Sequence, residues 1–251
     1  MEKKLNGHHT NGTDAALVAL GGEPRSLTNG GVDESDEAED EGTSEPEAPE
    51  PRPVAPAPAA IAELAESCVR YVDRALGVKL DYTAETLPLL DHYLAEAQKA
   101  LVAQNEDDTK AALATLPLLV HTSGAYFGEV VRRRYPSWWR LEGGDPMTYR
   151  LEFETAYLAF APMLFMYEAL ARSLAVHGDQ ALFDAAQIEM DEDDQKAAVA
   201  RLAELEVSDE EYYAPSTRLE AIDVVVDTIR TRRMAAGDPV EMALTPEDYE
   251  T

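Results

Sequence analysis

Cys68 is the only cysteine in 251 residues, so the chain cannot form an intramolecular disulfide. Aromatic residues are scarce at 7%, and none of the first 60 residues is Phe, Trp or Tyr. Those 60 residues hold 13 acidic against 4 basic side chains, with 7 prolines and 7 glycines. So little apolar surface cannot offset the entropy of ordering, and residues 1–59 read as a disordered, acidic, proline-rich arm. No run approaches the ~18 apolar residues that span a bilayer. Ala15–Leu20 behind Lys3 and Lys4 is too short for the apolar centre of a signal peptide. With no disulfide and no membrane span, the chain is expected in the cytoplasm.

Positive charge is also in short supply: 21 Lys and Arg face 49 Asp and Glu, a formal net charge of −28. The excess is uneven, at about −5 over residues 61–175 and −14 over 176–251. A field of this sign repels nucleic acid and anionic membranes and favours a protein partner with a basic face. Solubility, or a salty cytoplasm, would account for the same charge.

The signatures of common chemistry are missing too. No G-x-G-x-x-G and no glycine-rich loop ending in Lys-Ser or Lys-Thr offers a cradle for phosphates, and no G-x-S-x-G presents a serine nucleophile. Asp191-x-Asp193 begins like a calcium loop, but Lys196 stands where the glycine belongs and no glutamate closes it. Asp91, His92 and Glu96 lack the second histidine that a zinc helix needs. His8 and His9 are an incidental pair in the arm, and Cys68 lies on the apolar stripe Ile61, Leu64, Cys68, Val72, Leu76, as a buried thiol would. No metal, cofactor or catalytic residue is expected.

What is present is helical periodicity. A first helix is predicted from about Ala60 to Leu76, stopped by Gly77. A second carries Leu87, Leu90, Leu94, Ala97 and Leu101 on one face, capped by Thr83 or Asp81, with Pro88 in its first turn. A third runs to about Arg133, kinked or divided at Pro117, with Gly124 and Gly128 on one face for tight packing against the first or second helix. Trp138–Glu142 and Met147–Glu154 then read as a hairpin around Gly143-Gly144-Asp145-Pro146, with Tyr157–Ala161 as a third strand. Pro162 opens a helix ending near Gly178. The last third is acidic and helical, with Ser216 as the cap of a helix from about Thr217 to Arg233. The expected fold is α+β and mainly helical, with a small antiparallel hairpin or three-stranded sheet. It divides into the arm 1–59, a core 60–178, an acidic helical part 179–236 packed on it, and a frayed tail 237–251.

Positive charge and large rings concentrate in one place. Arg132, Arg133 and Arg134 end the third helix, followed by Tyr135, Trp138 and Trp139. Arginines in a last turn suit the helix dipole. As a surface, Arg and Trp are also the types most enriched where partners bind. Glu129, three to five residues earlier, reads as an ion-pair partner of Arg132 or Arg133.

The order of Leu80-Asp81-Tyr82-Thr83, a helix, Gly124-Ala125-Tyr126-Phe127-Gly128-Glu129, arginines, tryptophan and hairpin resembles a group of uncharacterised bacterial domains. Those pair an L-D-x-[ST] helix start with a G-x-Y-x-G-E helix ahead of a tryptophan strand. The resemblance covers roughly residues 61–175 and implies a small α+β architecture, with no established activity attached.

The expectation for function is a non-enzymatic protein that binds and regulates a partner with a basic face, using Arg132, Arg133, Arg134, Tyr135, Trp138 and Trp139 as a second contact. That contact would hold either the partner or the acidic arm. One alternative is an enzyme or small-ligand binder with Tyr126, Glu129, Arg133 and Trp138 in a pocket. Another is a scaffold or cargo protein addressed by its arm.

Overall fold

Ile61, Ala65, Cys68, Val69 and Val72 repeat at helical spacing, and all are buried on one side of helix α1, Ala59–Leu76. Gly77 ends the helix in the left-handed region (φ 69°), its N–H donating to the Asp73 carbonyl at 2.8 Å. The computed structural model describes residues 55–101, 106–172, 180–205, 207–240 and 242–250. The expected arm therefore lies almost wholly outside the described residues.

A 3₁₀ turn, Ala84–Thr86, leads into α2, Leu87–Leu101, whose Leu87, Leu90, Leu94 and Leu101 are buried as the spacing predicts. Thr83 stands at the N-cap of this turn without a side-chain cap bond, and Asp81 braces it from outside: Asp81 accepts from the Thr83 N–H at 3.0 Å and from the Thr83 and Thr86 hydroxyls. Helix α3, Glu106–Arg134, is one unbroken element of 29 residues with Pro117 inside it. The expected division at Pro117 does not occur. The proline sits on the exposed side, where solvent can satisfy the carbonyl it leaves unpaired, while Leu116, Leu119 and Val120 beside it are buried in the core.

Strands β1 (Ser137–Arg140), β2 (Arg150–Phe153), β3 (Leu158–Phe160) and β4 (Glu189–Met190) form an antiparallel meander in sequential order. Trp139 pairs with Leu151, Trp138 with Glu152, and Leu151 with Phe160. The hairpin and third strand form where expected, with shorter strands, but the expected alternation is not kept: Leu151, Glu152 and Phe153 are all buried. Strand β4 was not expected, because two residues are too few to show a period.

Helix α4, Pro162–Ala171, packs along α3. Two short helices, α5 (Gln180–Asp184) and α7 (Asp209–Tyr212), flank α6 (Glu192–Leu202), and α8 runs from Pro215 to Ala236. Helix α8 packs on both α2 and α6, which seats the acidic last third against the core. It starts two residues before the expected Thr217, and Ser216 does not cap it. Instead the Ser216 N–H and hydroxyl both donate to Asp91 of α2. No helix among the described residues is long and apolar enough to cross a membrane.

The expected fraying after Gly237 is corrected by Tyr249. Met242 and Leu244 donate their N–H groups to the Thr155 and Glu154 carbonyls, and Pro246–Tyr249 forms a 3₁₀ turn. Tyr249 is buried, stacked on Tyr157 at 4.9 Å. Its hydroxyl accepts from the Leu158 N–H at 3.1 Å and lies 2.8 Å from the Phe153 carbonyl. The ring and the backbone bonds together fasten an otherwise acidic segment across the outer face of the sheet.

Candidate functional site

The two short motifs meet at one corner of the fold. Tyr82 adopts φ 67°, the only positive value on a non-glycine residue among the described residues. That conformation costs about 1–2 kcal/mol for an L-residue, so its surroundings must hold it. Its N–H donates to the Tyr126 hydroxyl at 3.0 Å, and that hydroxyl also bonds the Thr86 side chain at 3.0 Å. The two tyrosine rings stack at 4.9 Å, and the Arg133 guanidinium lies over Tyr82 at 3.9 Å. Tyr126 is wholly buried, and burial pushes its phenol above the ordinary range.

One turn further along α3, Glu129 sits 3% exposed. Arg132 grips it through two 2.8 Å bonds, from Nε to Oε1 and from Nη2 to Oε2, as the three-residue spacing predicts. Trp139 Nε1 donates to the same carboxylate at 2.8 Å. The spare Arg132 nitrogen Nη1 holds the Ala55 carbonyl at 2.7 Å, where the chain enters the fold. Glycine is required at 128 because a Cβ there would meet the Trp139 ring at 2.3 Å. At 124 it would meet the Met163 Cα at 2.7 Å. The glycine face therefore receives β1 and α4, not α1 or α2 as expected.

A groove of about 300 Å³ runs beside this cluster, between Ala55–Ala57, Tyr82 and the Glu129–Arg133 turn. With three donors on its two oxygens, Glu129 is committed to holding Arg132 and Trp139 in place. The arrangement anchors the entering chain segment. Among the described residues no set of three or more His, Cys, Asp or Glu side chains is arranged to hold a metal ion. Cys68 is buried and its thiol is pushed up to about 12, which removes it as a nucleophile.

The surface expected of Arg132, Arg133, Arg134, Tyr135, Trp138 and Trp139 does not assemble. Arg132 and Trp139 are buried on Glu129. Arg134 and the Tyr135 hydroxyl both turn to Asp223 of α8, and burial with that carboxylate pushes the Tyr135 phenol up to about 12. Trp138 lies on the outer face of the sheet, donating to Glu152 at 2.9 Å and meeting Tyr249 edge-on. Arg133 alone remains exposed at the groove. The reason is geometric: consecutive helical residues turn by about 100°, and consecutive strand residues face opposite sides. The alternative pocket fails at the same point, since Tyr126, Glu129 and Arg133 converge while Trp138 points away.

Three buried charges, Arg218, Glu168 and Glu152, are not evident from the sequence pattern. Arg218 is 1% exposed, bonded to Glu168 and to the Tyr212 hydroxyl, with its guanidinium 4.5 Å from the Phe165 ring and 4.4 Å from that of Tyr212. Its Nε has no hydrogen-bond partner among the described residues. The signal was faint: Arg218 shares a helix face with Ile222, Val225 and Ile229, and Glu168 interrupts an otherwise apolar helix. Glu152, wholly buried under Trp138 and Arg140, occupies a position that alternation assigned to solvent. Compared with family models, curated proteins and solved structures, the chain gives no match to any of the three.

Proposed function

We propose that the protein works in the cytoplasm by binding a partner protein with a basic face and regulating it by covering that face. What supports this reading is how the charges are disposed. The arginines of the sheet and helix ends turn to carboxylates of the same fold: Arg132 to Glu129, Arg134 to Asp223, Arg140 to Glu152, Arg150 to Glu189 and Arg232 to Asp194. Glu192, Asp193, Glu204, Glu220, Asp227 and Asp238 are exposed on and beside α6 and α8, two helices that pack together, the first three in exposed ion pairs with Lys196 or Arg201 that contribute little. Basic partners meet acids there, while the protein's own cations are largely engaged within it.

The test is capture of partners by the full chain from native lysate, in parallel with a variant carrying Glu192→Gln, Asp193→Asn, Glu220→Gln and Asp227→Asn. The expected result is one protein retained stoichiometrically by the wild type, released as ionic strength rises, and lost from the variant. A partner that binds both forms equally, or none above background at low salt, overturns the reading.

A further inference from the structure

Residues 242–250 lie across the outer face of the sheet, and their contacts have the form of a bound peptide. Met242 and Leu244, alternate residues, donate their N–H groups to the Thr155 and Glu154 carbonyls, as an added strand does. Arg140 of β1 donates to the Pro246 carbonyl. The Tyr249 ring stacks on Tyr157 at 4.9 Å and meets Trp138 edge-on at 5.8 Å. Its hydroxyl accepts from the Leu158 N–H and lies within donating reach of the Phe153, Ala156 and Leu158 carbonyls. A phenylalanine would fill the same slot but leave the buried Leu158 N–H without an acceptor, so the slot selects tyrosine.

The segment is held lightly. Tyr249 is the one buried residue of the nine, and the others are half-buried or exposed. One ring and a few hydrogen bonds stand against the conformational entropy of nine ordered residues. Charge opposes closure as well. Glu142, Glu152 and Glu250 converge on the single guanidinium of Arg140, at 3.0, 2.6 and 3.9 Å. Closing the segment therefore brings a third carboxylate to one cation.

We propose that this face is an acceptor site for an extended, tyrosine-bearing segment of a partner protein, with residues 242–250 as its built-in ligand. The segment opens while the rest of the fold stays intact, and tail and partner exclude each other. The incoming segment offers two alternate N–H groups, a carbonyl for Arg140 and a tyrosine five residues after the second N–H. One with no acid after its tyrosine avoids the crowding at Arg140 and displaces the tail. A second copy of this chain is the poorer occupant, because two chains of net charge −28 repel each other. The site is built on the sheet and does not rest on the acidic face of α6 and α8, so either reading can fail alone.

The test titrates the full-length protein and its Tyr249→Ala variant with a labelled peptide of residues 242–250 carrying Glu250→Gln, followed by fluorescence anisotropy. The peptide is expected to bind the variant saturably, and the wild type at least roughly 10-fold more weakly, because the wild type's own tail competes at high effective concentration. A phenylalanine in place of the peptide's tyrosine should weaken binding by roughly 10-fold. No saturable binding to the variant below about 1 mM, equal affinity for both proteins, or equal binding of the phenylalanine peptide overturns the proposal. If Tyr249→Ala does not fold, amide exchange in the wild type decides. The Met242 and Leu244 amides should exchange at least roughly 10-fold faster than the β1–β2 ladder, and exchange at the ladder's own rate overturns the proposal. A dimer in light scattering that Tyr249→Ala abolishes gives the site to a second copy and overturns the choice of partner.

Discussion

At the scale of single residues, the buried Glu168–Arg218 pair is where the most free energy is at stake. A buried ion pair gives little net stability, but breaking it strands a charge in a low dielectric. Glu168→Leu or Arg218→Met alone should cost about 3–5 kcal/mol in denaturant unfolding, whereas the double variant should cost far less. A double variant as unstable as the sum of the singles would show that the two groups act separately. Cys68, with its thiol raised to about 12 and its side chain buried, should not react with a thiol reagent until the protein unfolds. Labelling at a rate equal to that of a free thiol in native buffer would contradict its placement.

Among elements, the contacts of α3 decide the architecture. Gly128→Ala brings a methyl group onto the Trp139 ring, and Gly124→Ala brings one onto the backbone of α4, which cannot rotate out of the way. Both should destabilise, by roughly 1–3 kcal/mol or more, with Gly128→Ala also changing the Trp139 near-ultraviolet signal. The start of α2 is pH-sensitive through Asp81, whose exposed carboxyl is held below the ordinary aspartate range by hydrogen bonds from Thr83 and Thr86. A carboxyl depressed in the fold stabilises it above the unfolded-state pKa and loses that contribution as pH falls through the folded value. Amide exchange at Thr83 should therefore accelerate in acid, and Asp81→Asn should flatten that dependence.

For the whole molecule, the C-terminal segment is a latch over the outer sheet face. Deleting residues 238–251 uncovers Trp138 and removes the Tyr249 hydroxyl from its four backbone neighbours. The truncated protein should show red-shifted tryptophan emission and a lower melting temperature. Tyr249→Phe alone should lose roughly 1–3 kcal/mol, because the buried Leu158 N–H loses its acceptor and the nearby carbonyls lose the one hydroxyl proton they share. Emission and melting unchanged by the deletion would mean that the segment contributes nothing to the fold.

Sequence alone determined what depends on local periodicity and local chemistry. The apolar spacing of α1 and α2, the stop at Gly77, the antiparallel pairing of the hairpin and the Glu129–Arg132 spacing all follow from neighbours within a few residues, and each is present. Tertiary structure decided where side chains of mixed character point. Arg132, Arg133 and Arg134 read as one patch in a line, yet the turn of the helix sends them to Glu129, Tyr82 and Asp223, and the pleat parts Trp138 from Trp139. The partners that capture them lie as far as 89 residues away in sequence, as Asp223 does from Arg134. Arg218 and Glu152 are buried for the same reason. A charge on an apolar face is tolerable only if a distant partner meets it, and the pairing of distant segments is not written in any local window.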